Sequence, residues 1–228
     1  MAFLLIHGVN NTPNAWKEVR SLLEAQGHDC YAVFLPALDS VESIARTILE
    51  GLASGSYHVV GHSFGGMVAL ALARIAPERV AGIALVNSSI TADSEAATAA
   101  RIERISKVEQ GGYEQVAQAA SARAYHPENQ GREDLIQARE ADVTEYGAER
   151  YVAHQKAMAS RPDSQELLAQ LSIPKLAIIA EGDVVIPAAT QEAVSLACGM
   201  QIEKISTAGH MLPMEQPEAL AKVLLAWM

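Results

Sequence analysis

Positive charge is in short supply: 17 Lys and Arg against 27 Asp and Glu leave a formal net charge of −10 over 228 residues. Such an acidic surface repels phosphate backbones, which argues against nucleic acid as a partner. Cysteine is scarcer still. Cys30 and Cys198 lie far apart and give neither a disulfide framework nor a zinc-ligand spacing; Cys30 sits in an apolar run and reads as a buried thiol. His7, His28, His58 and His62 show no metal-ligand spacing, and Gly61–Gly66 does not read as a dinucleotide fingerprint, so no cofactor and no metal are implied. No stretch approaches the roughly 18 apolar residues of a membrane span. The opening Met-Ala-Phe-Leu-Leu-Ile-His-Gly lacks the basic start of a secretory signal, and its apolar run stops after Ile6. The expectation is a cytoplasmic protein with no membrane partner and an open oligomeric state, a homodimer being one option. Repeats, low-complexity tracts and flexible linkers are absent too.

What is present is apolar. Half the residues are hydrophobic and 19% are charged, enough to bury a substantial core. Short apolar runs alternate with longer helical patterns. Strands are expected over Phe3–His7, Asp29–Phe34, Tyr57–Gly61 and Arg79–Val86. Helices are expected over Asn14–Gln26, ended by Gly27, over Val41–Leu52 with Ser40 as N-cap, and over Phe64–Ala76, stopped at Pro77. Continuous apolar strands between helices imply a parallel sheet buried on both faces. From residue 89 to 171 the strands cease. That stretch is rich in Ala, Glu, Gln and Arg, and Gly111, Gly112, Gly131 and Gly147 divide it into four helices. The rhythm resumes with strands at Lys175–Ala180 and Met200–Ser206 and helices at Pro187–Ala197 and Glu218–Met228. The fold class is therefore α/β: a mostly parallel six-stranded sheet with helices on both faces. Residues 1–88 and 172–228 form the core, and 89–171 is a helical cap inserted into it.

One motif carries chemistry. Gly61-His62-Ser63-Phe64-Gly65 matches G-x-S-x-G between a strand and a helix, the context that pattern requires. The turn is sharp enough to strain Ser63 and needs small residues two before and two after it. The competing reading is a glycine-rich turn whose serine merely caps a helix. A hydroxyl is a poor nucleophile without a base. His210, in Thr207-Ala208-Gly209-His210 after the sixth strand, is placed to supply one. Asp183, in Ala180-Glu181-Gly182-Asp183 after the fifth strand, would hold the imidazole in the right tautomer. Glu181 is the rival carboxylate. His62, beside the serine, could line the cleft.

These features resemble the α/β-hydrolase superfamily over nearly the whole core. They are His7-Gly8 after the first strand, the turn at Ser63, the Asp183-Val-Val-Ile-Pro187 segment, and Gly209-His210 followed by Glu215-Gln216-Pro217. The compact N-terminus is similar to the hydroxynitrile lyase and plant methylesterase branch and to bacterial esterase-like members, which lack the larger pattern's first two strands. The resemblance implies a Ser63–Asp183–His210 triad and an oxyanion hole from the backbone N–H groups of Val9 and Phe64. Asn10 could also project its amide into the site. Residues 89–171 then match a lid, from which Tyr113, Tyr125, His126, Tyr146, Tyr151, His154 and Met158 could face the substrate. No cluster of Arg and Lys stands out as a clamp for phosphate or CoA. The implied activity is carboxylesterase-like hydrolysis of a small-molecule ester through an acyl-enzyme on Ser63. Hydroxynitrile-lyase-like or cofactor-free perhydrolase chemistry on the same triad, and a slow-turnover ligand-binding receptor, are the alternatives. Those lyases have threonine where this chain has Gly8.

Overall fold

The computed structural model describes residues 2–227. Six strands form one sheet: β1 (Ala2–Ile6), β2 (Asp29–Val33), β3 (Tyr57–His62), β4 (Val80–Val86), β5 (Lys175–Ala180) and β6 (Gln201–Ile205). Every pairing is parallel, in the order β2-β1-β3-β4-β5-β6. Side chains alternate across the sheet. Leu4 and Ile6 enter one core layer with Val59, Ile83, Leu85 and Ile179. Phe3 and Leu5 enter the other with Val60, Ala84, Val86 and Ile178. Both faces of the central strands are covered, so β1, β3, β4 and β5 are apolar almost throughout, while the edge strands β2 and β6 expose polar residues such as Asp29, Glu203 and Lys204; each buried aliphatic contributes roughly 1.5–3 kcal/mol.

The helices follow the sequence expectation closely. Between strands run α1 (Lys17–Ala25), α2 (Val41–Gly51) and α3 (Phe64–Ile75). Ser40 caps α2, its hydroxyl accepting the Ser43 N–H. A 3-10 turn over Pro13–Trp16 replaces the start expected for α1: the Thr12 hydroxyl caps that turn, and the α-helix begins only at Lys17.

Between β4 and β5 the chain forms α4 (Glu95–Glu109), α5 (Tyr113–Ser121), α6 (Glu133–Ser160) and α7 (Gln165–Gln170). Gly111 and Gly112 separate the first two, as expected. Gly147 does not end a helix segment cleanly. It sits inside α6 at φ 77°, ψ 163° and kinks it, a conformation open to glycine because it has no Cβ. The insert packs on the central core through Ala157, Met158 and Leu168. The chain closes with α8 (Ala188–Ala197), a short α9 (Leu212–Glu215) that the pattern did not reveal, and α10 (Pro217–Trp227).

Two consequences position the site. Because all strands are parallel, the segments after β1, β3, β4, β5 and β6 share the carboxyl edge of the sheet. Because β1 and β3 are neighbours although β2 intervenes in sequence, chain connections leave that pair in opposite directions and open a crevice there.

Candidate active site

Ser63 stands at that crevice, between β3 and α3, at φ 53° and ψ −118°. A non-glycine residue there costs on the order of 1–3 kcal/mol, retained only because its surroundings fix it. The glycines explain how. A Cβ on Gly65 would lie 2.2 Å from the Ile6 carbonyl oxygen, and one on Gly61 would lie 2.3 Å from the Gly65 carbonyl oxygen. Neither partner is a side chain that could swing away. The Ser63 N–H donates to Val86 O (2.9 Å), and its carbonyl accepts the Ser88 hydroxyl (2.7 Å). Gly66 belongs to this contact: a Cβ there would meet Ser88 Oγ at 2.3 Å, so its small size serves the Ser88 clamp at the end of β4.

Ser63 occupies the N-cap position of α3, yet its side chain makes no capping bond. Instead its Oγ lies 2.9 Å from His210 Nε2. On the far side of the ring, His210 Nδ1 lies 2.9 Å from Asp183 Oδ2. A carboxylate only accepts, so Nδ1 carries the proton, Nε2 presents its lone pair, and the serine hydroxyl donates to it. Asp183 is buried and fully engaged. Its Oδ1 accepts the Val185 and Ile186 N–H groups (2.8 and 3.0 Å), and its Oδ2 also accepts Gln191 Nε2–H (3.0 Å). Glu181 is exposed and stands outside this chain of bonds. The structure therefore brings together Ser63, His210 and Asp183, three residues from three different strand ends.

Val9 follows β1 and lines the same cavity as Ser63. Among the described residues neither its N–H nor that of Phe64 donates to an acceptor. The loop is held by His7, whose Nδ1–H donates to Gly8 O (2.9 Å) while Nε2 accepts the Leu35 N–H (3.2 Å). Burial pushes the His7 pKa down to about 3, so the ring is neutral and can do both. Gly8 presses on the serine: a Cβ there would lie 3.1 Å from Ser63 Cβ. Asn10, at φ 57°, is buried and lines the cavity, with its side-chain oxygen accepting the Tyr113 hydroxyl (3.0 Å).

The histidine loop is pinned by His62, Asn87 and Glu215; the sequence had marked His62 for the cleft, which it does line, and Glu215 within a motif, but not Asn87. The His210 carbonyl accepts His62 Nε2–H (2.7 Å) and Asn87 Nδ2–H (3.1 Å). Asn87 also accepts the Ala180 N–H (2.8 Å), joining the ends of β4 and β5 to that loop. Burial, with His210 beside it, drives the His62 pKa to about 3, so the ring is neutral and places its one proton on Nε2 for this contact. Glu215 accepts the Gly209 N–H with one oxygen and the His126 N–H and Asn129 side chain with the other, each at 2.8 Å. The Glu215-Gln216-Pro217 motif was the visible trace of that contact. Asn87 left no signal beyond standing at a strand end.

The cavity holds about 930 Å3 beside Ser63, His62 and His210. Of the seven aromatic, histidine and methionine candidates from the insert, Tyr151 and Met158 line it. The others have structural partners. The Tyr146 hydroxyl bonds His154 Nδ1, and His154 Nε2–H donates to Pro36 O (2.8 Å). Tyr125 packs with Leu135 and Met211, and His126 lies against Gly182 and Gly209. A second correction concerns charge. Arg101, Arg104, Lys107, Arg123 and Arg139 all line the cavity, a cluster that residue spacing along the whole chain had hidden. Only the first three share an i, i+3 stripe on one helix, which was the legible part of the signal. Among the described residues no group of three His, Cys, Asp or Glu side chains could hold a metal ion, and no helix is long and apolar enough to cross a membrane.

A sequence model described as the alpha/beta hydrolase family matches residues 3–223. The chain belongs to this family. Similar solved structures include a thermophilic esterase from Thermogutta terrifontis with malate bound, 27% identical with a TM-score of 0.92 over 100% of this chain and 89% of that one. A hydrolase from Pseudomonas aeruginosa PA01 has the same fold, at 21% identity and a TM-score of 0.89, covering 99% of this chain and 89% of that one. Among curated family members, Methylesterase 7 of Arabidopsis thaliana is 36% identical over 99 residues, which is 37% of this chain and 38% of that protein. Lipase LipV of Mycobacterium tuberculosis is 31% identical over 99 residues, 40% of this chain and 38% of the lipase. The chain thus spans less than two fifths of the length of these curated relatives.

Proposed function

We propose that this protein is a serine hydrolase that cleaves carboxylic esters. The observation that carries the reading is the hydrogen-bonded chain Ser63–His210–Asp183, in which the serine is strained, makes no capping bond and opens on a cavity. Ser63 Oγ attacks the ester carbonyl while its proton passes to His210 Nε2. Asp183 holds the imidazole and stabilises its charged form. The N–H groups of Val9 and Phe64 receive the developing oxyanion; one such donor is worth about 3–4 kcal/mol. The carbon–oxygen ester bond then breaks, and the alcohol leaves with the proton from His210. Water attacks the acyl-enzyme, gives its proton to His210, and the released acid leaves Ser63 free to regain that proton. Residues 89–171 act as a cap that shapes the cavity and limits water. A lyase reading is disfavoured because the lyases that the chain resembles carry a threonine where this chain has Gly8.

The test is hydrolysis of p-nitrophenyl esters from acetate to octanoate by wild type and Ser63→Ala. Turnover lost in the variant is expected, together with a stable acyl-enzyme mass on Ser63 after quenching. Equal rates in the two proteins would overturn the assignment of Ser63 as nucleophile.

A further inference from the structure

Over the whole chain carboxylates outnumber cations 27 to 17. The cavity beside Ser63 inverts that balance: its wall carries five cationic side chains and, among the described residues, not one Asp or Glu. At the inner end Arg139 is 6% exposed. Its Nε–H donates to Ser121 Oγ (3.1 Å), and its Nη1 donates to Asn10 O and Asn11 Oδ1 (2.7 and 2.6 Å). All three acceptors are neutral, and its Nη2 makes no bond among the described residues. Asp142, three residues along α6, lends its field but accepts the Thr12 hydroxyl (2.6 Å) and makes no ion pair with Arg139. A buried guanidinium without a carboxylate partner is costly, and such charges are ordinarily paired.

The other cations lead outward. Arg101 shares Asp93 with Arg161, so that trio retains a positive charge. Arg104 and Arg123 make no ion pair among the described residues. Lys107, at the exposed rim, pairs with Glu103 only along its own helix (2.7 Å). A field of one sign within a partly enclosed wall attracts and retains the opposite charge. Arginine suits a carboxylate in particular: Arg104 and Arg123, whose guanidinium groups make no bond among the described residues, can turn a planar fork to both oxygens, and Arg139 adds its Nη2–H.

We propose that this cavity takes esters bearing a free carboxylate, such as the half-esters of small dicarboxylic acids, with the carboxylate on Arg139 and the cations of α4 and the α5 end. The proposal rests on the ester-hydrolysis reading and narrows its substrate class. The carboxylate takes no part in bond making; it fixes the ester carbonyl relative to Ser63.

The experiment compares monoethyl glutarate with ethyl valerate, of similar length but uncharged, by pH-stat titration of acid release. Wild type should favour the half-ester in kcat/KM by at least about tenfold, mainly through KM. That ratio should fall by at least about tenfold in Arg104→Gln/Arg123→Gln, two partly exposed positions whose replacement spares the fold. About 0.5 M NaCl should shrink it as well. Ser63-dependent cleavage of ethyl valerate with no preference for the half-ester would overturn the proposal and leave the ester reading standing. If neither ester is cleaved, the ester reading fails, and calorimetry of glutarate against neutral glutaramide still decides the anion site. Glutarate binding weakened in the double variant supports it; equal or absent binding of the two overturns it.

Discussion

Asp183→Asn is a demanding test of the hydrogen-bond chain, because asparagine keeps the shape and changes only the donors. Asp183 is 4% exposed and meets four donors. Val185 and Ile186 N–H address Oδ1, while His210 Nδ1–H and Gln191 Nε2–H address Oδ2. An amide has one oxygen and one NH2 group. The backbone donors cannot rotate, so the amide oxygen should stay at the Oδ1 position. The reverse orientation would set NH2 against two fixed N–H groups, each left unsatisfied at about 1–3 kcal/mol. With the oxygen at Oδ1, the NH2 group faces His210 Nδ1, which must then offer a lone pair. The ring proton moves to Nε2, and Nε2 can no longer accept the Ser63 proton. A wrong tautomer at this position lowers kcat by about 10^4, or about 5.5 kcal/mol of transition-state stabilisation. Asp183 does not line the cavity, so KM should change little. Steady-state kinetics on a p-nitrophenyl ester would read both constants, with thermal unfolding showing that the variant is folded. A kcat within about tenfold of wild type, or a loss carried by KM, would refute the reasoning.

Two further outcomes follow from packing and burial. Gly65→Ala should destabilise by about 2–3 kcal/mol, lowering Tm by roughly 5–10 °C, because the new methyl meets the Ile6 backbone. Gly51→Ala, with nothing within 4 Å, is the control and should be neutral or better; equal Tm values for the two variants would contradict this account. Stability should also fall in acid. Burial holds His7 and His62 at about 3 and His154 at about 4, while in the unfolded chain histidine titrates near 6.5. The unfolded state therefore binds protons first as pH drops. Each site destabilises the fold by up to about 1.4 kcal/mol per pH unit below about 6.5, until its folded value is reached. Above about pH 7 this contribution vanishes. Thermal melts from about pH 8 to 4 would check it, and a Tm unchanged down to about pH 4.5 would rule out neutral burial of these rings.

The strand–helix order was legible in the sequence, since short apolar runs such as Phe3–Ile6 and Ile83–Val86 set between longer helical patterns suit a sheet buried on both faces, and Ser63, Asp183 and His210 stood out because each follows a strand with a local signature. The composition of the sequence also breaks the strand rhythm over 89–171, where the structure forms α4 to α7. Tertiary structure decided which residues meet. Asn87 and His62 pin the His210 carbonyl across 123 and 148 residues of chain, and no local pattern records a contact of that range. Most of the insert's aromatic side chains turned inward to structural partners, because hydroxyls and imidazoles buried there require hydrogen bonds that only the folded neighbours supply. The cationic wall arises the same way. Arg139 and Arg123 reach the α4 stripe only when the insert's helices converge over the sheet, so a chain of net charge −10 folds to enclose a basic cavity.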